Sequence, residues 1–316
     1  MLTGLSAGML WGLDTVILSI ALSKSGFCST AQAIALAPFV STFFHDLFSS
    51  FWMIIYTSIR KQWKNVIRAL KTKSGKFIIL GALLGGPIGM SGYVNAINYI
   101  GPAYTAIITA AYPAVGALFA RIFLKEKMKW YQMAALAVSI MGVIALGYTP
   151  GGNDEVKNLY LGFGCALLSV IGWSSEAVIC AYGMKNPDIS NEHALQIRQL
   201  VSAVTYGFII IPVLKGIGFV ADMFISQETG IILISAFFGT ASYLCYYKTI
   251  GKIGASKAMA LNITYSAWSI VFSIVLLHTL PDLKSVVCCI VIVLASIIAG
   301  SDIKAIFQKK KQVIKK

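Results

Sequence analysis

The sequence repeats one feature from end to end, namely runs of roughly 20 apolar residues separated by short polar segments. A helix of roughly 20 apolar residues crosses the ~30 Å hydrocarbon core of a membrane. With 57% hydrophobic and 12% charged residues, this 316-residue chain has more apolar surface than a soluble core can bury. We therefore predict an all-α integral membrane protein with ten transmembrane helices. The predicted spans are residues 3–23, 33–58, 77–98, 102–124, 130–148, 158–183, 192–214, 228–249, 256–278 and 282–300.

The net charge of +14 is distributed unevenly along the chain. If the spans alternate in direction, most of the Lys and Arg residues fall on one side, in segments 60–76, 121–129, 248–257 and 303–316. The other side has Lys24, Lys157, Lys215 and Lys284. By the positive-inside rule, both termini are predicted to be cytoplasmic, with 303–316 as a basic cytoplasmic tail. Topology and attraction to membrane lipids then explain the charge, and we expect no nucleic acid partner.

The start of the chain and its cysteines indicate neither a cleaved signal peptide nor a metal site. Met1 leads into the first span without a basic segment or a small-residue cleavage pattern, so we expect that span to be retained. The six cysteines fall mostly within spans and lack metal-ligand spacing, so we interpret them as small apolar fillers. We therefore expect no metal and no cofactor in a multi-pass protein of the inner (cytoplasmic) membrane.

Two constant offsets indicate an internal duplication. An offset of 162 places "WGLDTVI" (11–17) over "WSSEAVI" (173–179), and an offset of 153 places "GYVNAINYIG" (92–101) over "CYYKTIGKIG" (245–254). We predict two five-helix repeats, residues 1–148 and 158–302. Because five is an odd number, the second repeat enters the membrane from the opposite side, and the repeats are inverted. Such carriers bind substrate near the midplane between the repeats and work by alternating access.

Five ionisable residues lie deep inside the predicted spans: Asp14, His45, Asp46, Glu176 and Arg198. A charge at that depth costs several kcal/mol unless it is paired or faces water. One explanation is a paired network that locks helices together, with Asp46 or Glu176 neutralising Arg198. However, three acids face one permanent cation, since His45 can be neutral. At least one acid is then protonated or receives a cation from solution, as a site for a cationic substrate or a proton requires.

Aromatic side chains accompany these acids. Residues three apart share a helix face, which places Trp11 above Asp14 and Trp173 above Glu176. Further aromatic residues fall mostly near mid-depth, deeper than the usual interfacial belt: Tyr93, Tyr112, Tyr243, Tyr246, Tyr247, Tyr265 and Trp268. Ring faces and a carboxylate hold a methylated ammonium, with ~1–2 kcal/mol for each desolvated cation–π contact. The pattern predicts a site for a small organic cation, although ordinary packing explains any single tyrosine.

The third predicted span reads "GALLGGPIGMSGY" (81–93). Gly81, Gly85 and Gly89 recur at four-residue spacing, which favours close contact with a neighbouring helix. Pro87 interrupts the hydrogen-bond ladder between them. We therefore expect this span to pack tightly and to bend.

Several stretches resemble one family in particular, the bacterial Lic-type choline transporters of the drug/metabolite transporter (DMT/EamA) superfamily. They are "GGPIGM" (85–90), "IGWSSEAV" (171–178), "IRQLVS" (197–202), "SYLCYY" (242–247) and "LNITYSAW" (261–268). The resemblance implies the ten-helix inverted-repeat fold and import of choline for phosphocholine decoration of surface glycans. It also implies that Glu176 lies near the ammonium in an aromatic cage of Trp11, Trp173, Tyr243, Tyr265 and Trp268. We add Tyr112 and Tyr246 to the predicted substrate-binding residues.

Other choices stay open at this point. The substrate is choline or a related amine such as betaine or carnitine, and the coupling ion is a proton or sodium. Asp14, His45, Asp46 and Arg198 are the candidate charge and coupling residues, and the carrier is a monomer or a homodimer. The main alternative is a proton-coupled exporter of cationic amines or drugs from the same superfamily. We do not expect an enzyme, because the sequence has no GxSxG or HExxH motif.

Overall fold

The computed structural model describes residues 1–148, 157–186 and 189–301, except for the side chains at 102 and 103. In these ranges every regular element is a helix, and ten helices are long and apolar enough to cross a membrane. The predicted all-α class and number of spans are confirmed. We number the spans 1 to 10 in chain order: Leu2–Leu22, Ala31–Ile59, Lys73–Gly101, Tyr104–Phe123, Trp130–Gly147, Leu159–Gly183, Asn191–Val213, Gln227–Ile253, Ala255–Leu277 and Leu283–Gly300.

Short helices lie between some spans: Ser25–Cys28, Trp63–Leu70 and Ile217–Met223. The predicted basic tail at 303–316 lies outside the described residues.

Side-chain caps determine where several spans begin. In each case a side-chain oxygen accepts a hydrogen bond from the backbone N–H three residues later, which the helix itself leaves unpaired. Thr72 does this for span 3, which is why that helix begins at Lys73, four residues before the predicted boundary. The other capping residues are Thr30, Asn158, Ser190, Ser226 and Asp282.

Four spans depart from a regular α-helix. Span 3 contains a π-helical turn at Leu84–Met90, which includes Pro87, and span 7 contains one at Tyr206–Ile210. Turns at residues 110–111 and 263–264 interrupt spans 4 and 9. Interrupted helices are tolerated at membrane depth where they are buried in protein or line a cavity.

The packing joins the two halves of the chain throughout. Span 1 packs along spans 8 and 9, and span 6 packs along spans 3 and 4. Span 2 contacts span 7, and span 5 contacts span 10. Each of these pairs takes one helix from the first five spans and one from the last five, so the centre of the protein is an interface between the halves.

Corresponding features recur at nearly constant offsets. The N-caps Thr72 and Ser226 are separated by 154 positions, whereas Gly101 and Gly254 are separated by 153. These two glycines have φ of 77° and 91°, a conformation that residues with a Cβ rarely adopt. Between the cap and the glycine, the first half therefore has one residue more than the second half. The π-helical turn of span 3 lies in this segment, and such a turn accommodates one additional residue in a helix.

Candidate binding cavity

A cavity of about 270 Å³ lies at mid-depth of the helix bundle, between the two halves of the chain. All four residues predicted to set its charge line it: Asp14, His45, Asp46 and Arg198. Seven of the predicted substrate-binding residues also line it: Trp11, Tyr112, Trp173, Glu176, Tyr243, Tyr246 and Tyr265. These eleven side chains come from seven different spans, and Tyr93 in the same lining adds span 3.

Trp268 is the one predicted substrate-binding residue that does not line the cavity, so its role in the cage stays a prediction. It is absent from the cavity lining, although Tyr265, three residues earlier on the same helix, is present. Trp268 lies where span 9 approaches span 1, because a Cβ added at Gly12 would fall 2.7 Å from the Trp268 Cβ. Its ring lies 6.4 Å from that of Phe272, on the same helix. Helical spacing alone did not reveal this close approach of span 9 to span 1 at Trp268.

The first charged group in the cavity joins spans 1, 2 and 8. The Nε2 atom of His45 lies 3.1 Å from both carboxylate oxygens of Asp14. Ser235 donates a hydrogen bond to Asp14 from span 8, and the His45 Nδ1 atom lies 3.7 Å from Asp46. Asp14, His45 and Asp46 are all buried. Because His45 belongs to the first half of the chain and Ser235 to the second, Asp14 has partners from both halves.

The second charged group is centred on Arg198. Its Nε donates to Glu176 over 2.9 Å, and its Nη1 donates to Asp46 over 3.2 Å and to Gln199 over 2.7 Å. Its Nη2 donates to the Tyr243 hydroxyl over 3.1 Å. The sequence suggested that Asp46 or Glu176 neutralises Arg198; in the structure both do.

The balance of charge in the cavity favours a bound cation. Three carboxylates and two bases line the walls. With the carboxylates ionised, acid exceeds base whether or not His45 carries a proton. The internal pairs therefore explain why these groups are tolerated in the membrane interior, but they leave negative charge that a cation can balance.

Aromatic rings form two groups beside the carboxylates. The Trp173 ring lies 5.4 Å from that of Tyr93 and 6.0 Å from that of Tyr112. The Trp11 ring meets that of Tyr243 edge-on at 5.0 Å. The Arg198 guanidinium lies over the Tyr243 ring at 4.8 Å, so the face of this ring already contacts a cation of the protein itself. The group around Trp173 is consequently the better placed to receive a cation from solution.

The glycines of span 3 make close helix contact, as predicted. A Cβ at Gly81 would fall 2.8 Å from the Cys180 sulfur, and one at Gly89 would fall 3.1 Å from the Trp173 ring. A Cβ at Gly85 would collide with the carboxylate of Glu176. The absence of side chains on this face of span 3 therefore leaves the space that Glu176 occupies.

Sequence reasoning missed several lining residues. Asn262 donates to the Tyr112 hydroxyl over 3.4 Å, and an amide within an apolar span was a usable signal. Thr42 and Met90 also line the cavity, but they gave no such signal. The offset of 153 also places His45 over Arg198, a correspondence that the repeat analysis did not use.

The family model that matches this chain describes transporters. The model of the EamA-like transporter family matches residues 1–148 and 160–301. Protein LicB of Haemophilus influenzae is 35% identical over 194 residues, which are 60% of this chain and 63% of that protein. The match thus spans less than two thirds of LicB. An uncharacterized transporter of Clostridium kluyveri is 23% identical over 242 residues, covering 74% of this chain and 75% of that protein.

A solved structure shares the fold with a TM-score of 0.70 at 16% identity, covering 94% of this chain and 96% of that one. The family match and the relationship to LicB confirm the resemblance to Lic-type transporters. With ten membrane-spanning helices and a family model that covers both halves, this chain is a multi-pass membrane protein and belongs to the EamA-like transporter family.

Proposed function

We propose that this transporter imports choline, or a closely related small quaternary ammonium compound, across the cytoplasmic membrane, with a proton or sodium as the coupling ion. The observation that carries the proposal is one cavity with an excess of carboxylates beside a group of aromatic rings. A trimethylammonium group has no N–H to donate, so ring faces and a nearby carboxylate are the protein groups suited to bind it. In this reading Trp173, Tyr93 and Tyr112 surround the methyl groups, and Glu176 supplies the charge.

The size of the cavity favours a small substrate. Sites for drug-sized molecules have volumes of about 300–1,000 Å³, whereas this cavity has about 270 Å³. A compact amine therefore fits better than the bulky cations that a multidrug exporter carries. This chain is similar to LicB, and its resemblance to the Lic-type transporters also favours a small quaternary ammonium compound as the substrate.

The transport mechanism that we propose is alternating access between two inverted repeats, residues 1–148 and 158–302. Its support is the recurrence of capping residues, positive-φ glycines and interrupted spans at offsets of 153 or 154. The cavity lies between the halves, where a rocking motion would expose it to one side and then the other. The basic segments after spans 2 and 4 favour cytoplasmic termini.

Uptake of labelled choline into vesicles tests the proposal. Glu176→Gln removes one carboxylate from the cavity while keeping its shape, so we expect saturable uptake to be lost. Glu192→Gln, at an acid that lies 3.6 Å from Arg60 in an ion pair and outside the cavity lining, is the matched control and should leave uptake unchanged. Normal choline uptake by the Glu176→Gln protein would contradict the assignment.

A second variant separates a cage from ordinary packing. Trp173→Ala should weaken binding of choline more than binding of a primary amine of similar size, because the methylated ammonium depends more on ring faces. Equal losses for both amines would argue that Trp173 only packs. Thermal stabilisation in detergent by choline, betaine, carnitine, polyamines and cationic dyes identifies the substrate class, and preference for dyes would favour an exporter.

A further inference from the structure

We propose that Arg198 determines the charge selectivity of the cavity, so that singly charged ammonium compounds bind and doubly charged compounds of the same size are rejected. The inference rests on the proposed function, because it concerns the same site. It explains why a permanently charged base, Arg198, lines a cavity that otherwise suits cations.

Arg198 is a resident cation of the cavity wall. Its side chain is 4% exposed, yet the residue lines the cavity. A guanidinium keeps its charge at every physiological pH, and its rigid fork matches several acceptors at once. Here it uses that fork on Glu176 at 2.9 Å, on Asp46 at 3.2 Å and on the Tyr243 hydroxyl at 3.1 Å.

The partners of Arg198 prevent it from leaving the cavity. Asp46 belongs to span 2, Glu176 to span 6 and Tyr243 to span 8, while Arg198 itself is on span 7. The guanidinium also lies over the Tyr243 ring at 4.8 Å. With partners on three other spans, its charge is a fixed property of the wall, which any substrate must meet.

The count of charges gives the selectivity. With His45 protonated between Asp14 and Asp46, the three carboxylates exceed the two bases by one negative charge, which a bound monocation neutralises. A second positive charge on the substrate would lie near Arg198 with less acid left to balance it, and an unbalanced buried charge is costly. His45 lies 3.1 Å from Asp14 and 3.7 Å from Asp46, and the comparison of the wild type with Arg198→Met leaves both of these acids in place.

The expected effect is large. Two unit charges about 6 Å apart at an effective dielectric constant of about 20 interact strongly enough to change a binding ratio roughly 100-fold. Removal of the Arg198 charge should therefore shift the preference toward the dication by roughly 10- to 100-fold. Removal of one carboxylate should shift it in the opposite direction.

The test compares two ligands of nearly equal shape, hydroxypropyl-trimethylammonium and aminopropyl-trimethylammonium, which differ by one positive charge. Their dissociation constants are measured with the purified full chain in detergent at a single pH. We expect the wild type to prefer the hydroxyl compound, Arg198→Met to lose that preference, and Asp46→Asn to increase it. The double variant Asp46→Asn with Arg198→Met restores the charge count and should return to the wild-type ratio.

An unchanged ratio in Arg198→Met, or a shift in the same direction in Asp46→Asn, would overturn the inference. If Arg198→Met does not fold, the other two variants decide. The inference then requires that Asp46→Asn raises the preference for the hydroxyl compound and that the double variant has the wild-type ratio of dissociation constants. Any other pair of ratios refutes it. A wild type that binds neither compound would refute the proposed function and the inference with it. Retained binding of the hydroxyl compound with an unaltered ratio would refute the inference alone.

Discussion

Gly85 and Gly239 provide a way to displace two of the three cavity carboxylates without removing them. A Cβ added at Gly85 would lie 2.5 Å from the Cδ and 2.6 Å from the Cβ of Glu176. A Cβ added at Gly239 would lie 2.7 Å from the His45 Nε2 and 2.8 Å from the Asp14 Oδ2. Gly85→Ala therefore disturbs Glu176, and Gly239→Ala disturbs the Asp14–His45 pair.

The size of the effect follows from these distances. Ordinary van der Waals contact begins at 3.4 Å, so the displaced groups must move by roughly half an ångström at Gly239 and by more than an ångström at Gly85, where a carboxylate oxygen of Glu176 lies closest. In Gly85→Ala this movement disrupts the 2.9 Å hydrogen bond between Glu176 and Arg198. If the displaced carboxylate loses a contact with the ammonium worth about as much as a hydrogen bond to a charged group, about 1.5–3 kcal/mol, choline affinity falls by about 10- to 150-fold. Overpacking should also lower the free energy of unfolding by about 1–3 kcal/mol.

Choline titration in detergent and uptake into vesicles measure the outcome. Gly164→Ala in span 6 and Gly230→Ala in span 8 are matched controls, because no atom lies within 4 Å of the added Cβ. Both controls should keep normal affinity and gain about 0.5–1 kcal/mol of stability from helix propensity. Wild-type affinity in Gly85→Ala would refute the placement of the ammonium at Glu176. A loss confined to Gly239→Ala would assign that role to Asp14.

Three further predictions follow from individual contacts. Trp268→Phe should leave choline affinity unchanged, because this side chain does not line the cavity; a loss comparable to that in Trp173→Ala would contradict the placement. Glu126 accepts hydrogen bonds from the backbone N–H and hydroxyl of Ser256 at a helix start, so Glu126→Gln should lower the unfolding free energy by about 0.5–2 kcal/mol in denaturation experiments, and an unaltered midpoint would refute this. Tyr247→Phe removes a 3.2 Å hydrogen bond to Glu176 and should weaken choline binding by about 2- to 12-fold in titrations; tighter binding would show that the hydroxyl competes with the substrate.

The sequence was sufficient to predict the ten spans and most of the cavity lining. Span length is a local property, since an apolar run either reaches across the hydrocarbon core or does not. Charged residues such as Asp14 and Arg198 could be selected because their cost in a membrane marks them as functional or paired. Asn262 carries no charge, and it was missed although it reaches the Tyr112 hydroxyl.

The pairing of these groups could not be predicted in the same way. Asp14 is 31 positions from His45 and 221 positions from Ser235, and its contacts with them depend on how spans 1, 2 and 8 cross. The contact of Trp268 with span 1 could not be predicted for the same reason, because it depends on the close approach of span 9 to Gly12. Helical periodicity gives the faces of each helix, but it does not identify the neighbour that each face meets.

The two halves of the chain place equivalent groups in the cavity but differ in chemistry. Each half pairs an acid of its first span with a base of its second span, Asp14 with His45 and Glu176 with Arg198. The bases are separated by 153 positions, the offset that also relates Gly101 and Gly254. In one half the base is a permanent cation, whereas in the other it is an imidazole that can gain or lose a proton. If the coupling ion of the proposed transport is a proton, His45 is therefore the base that can accept it, while Arg198 keeps a constant charge.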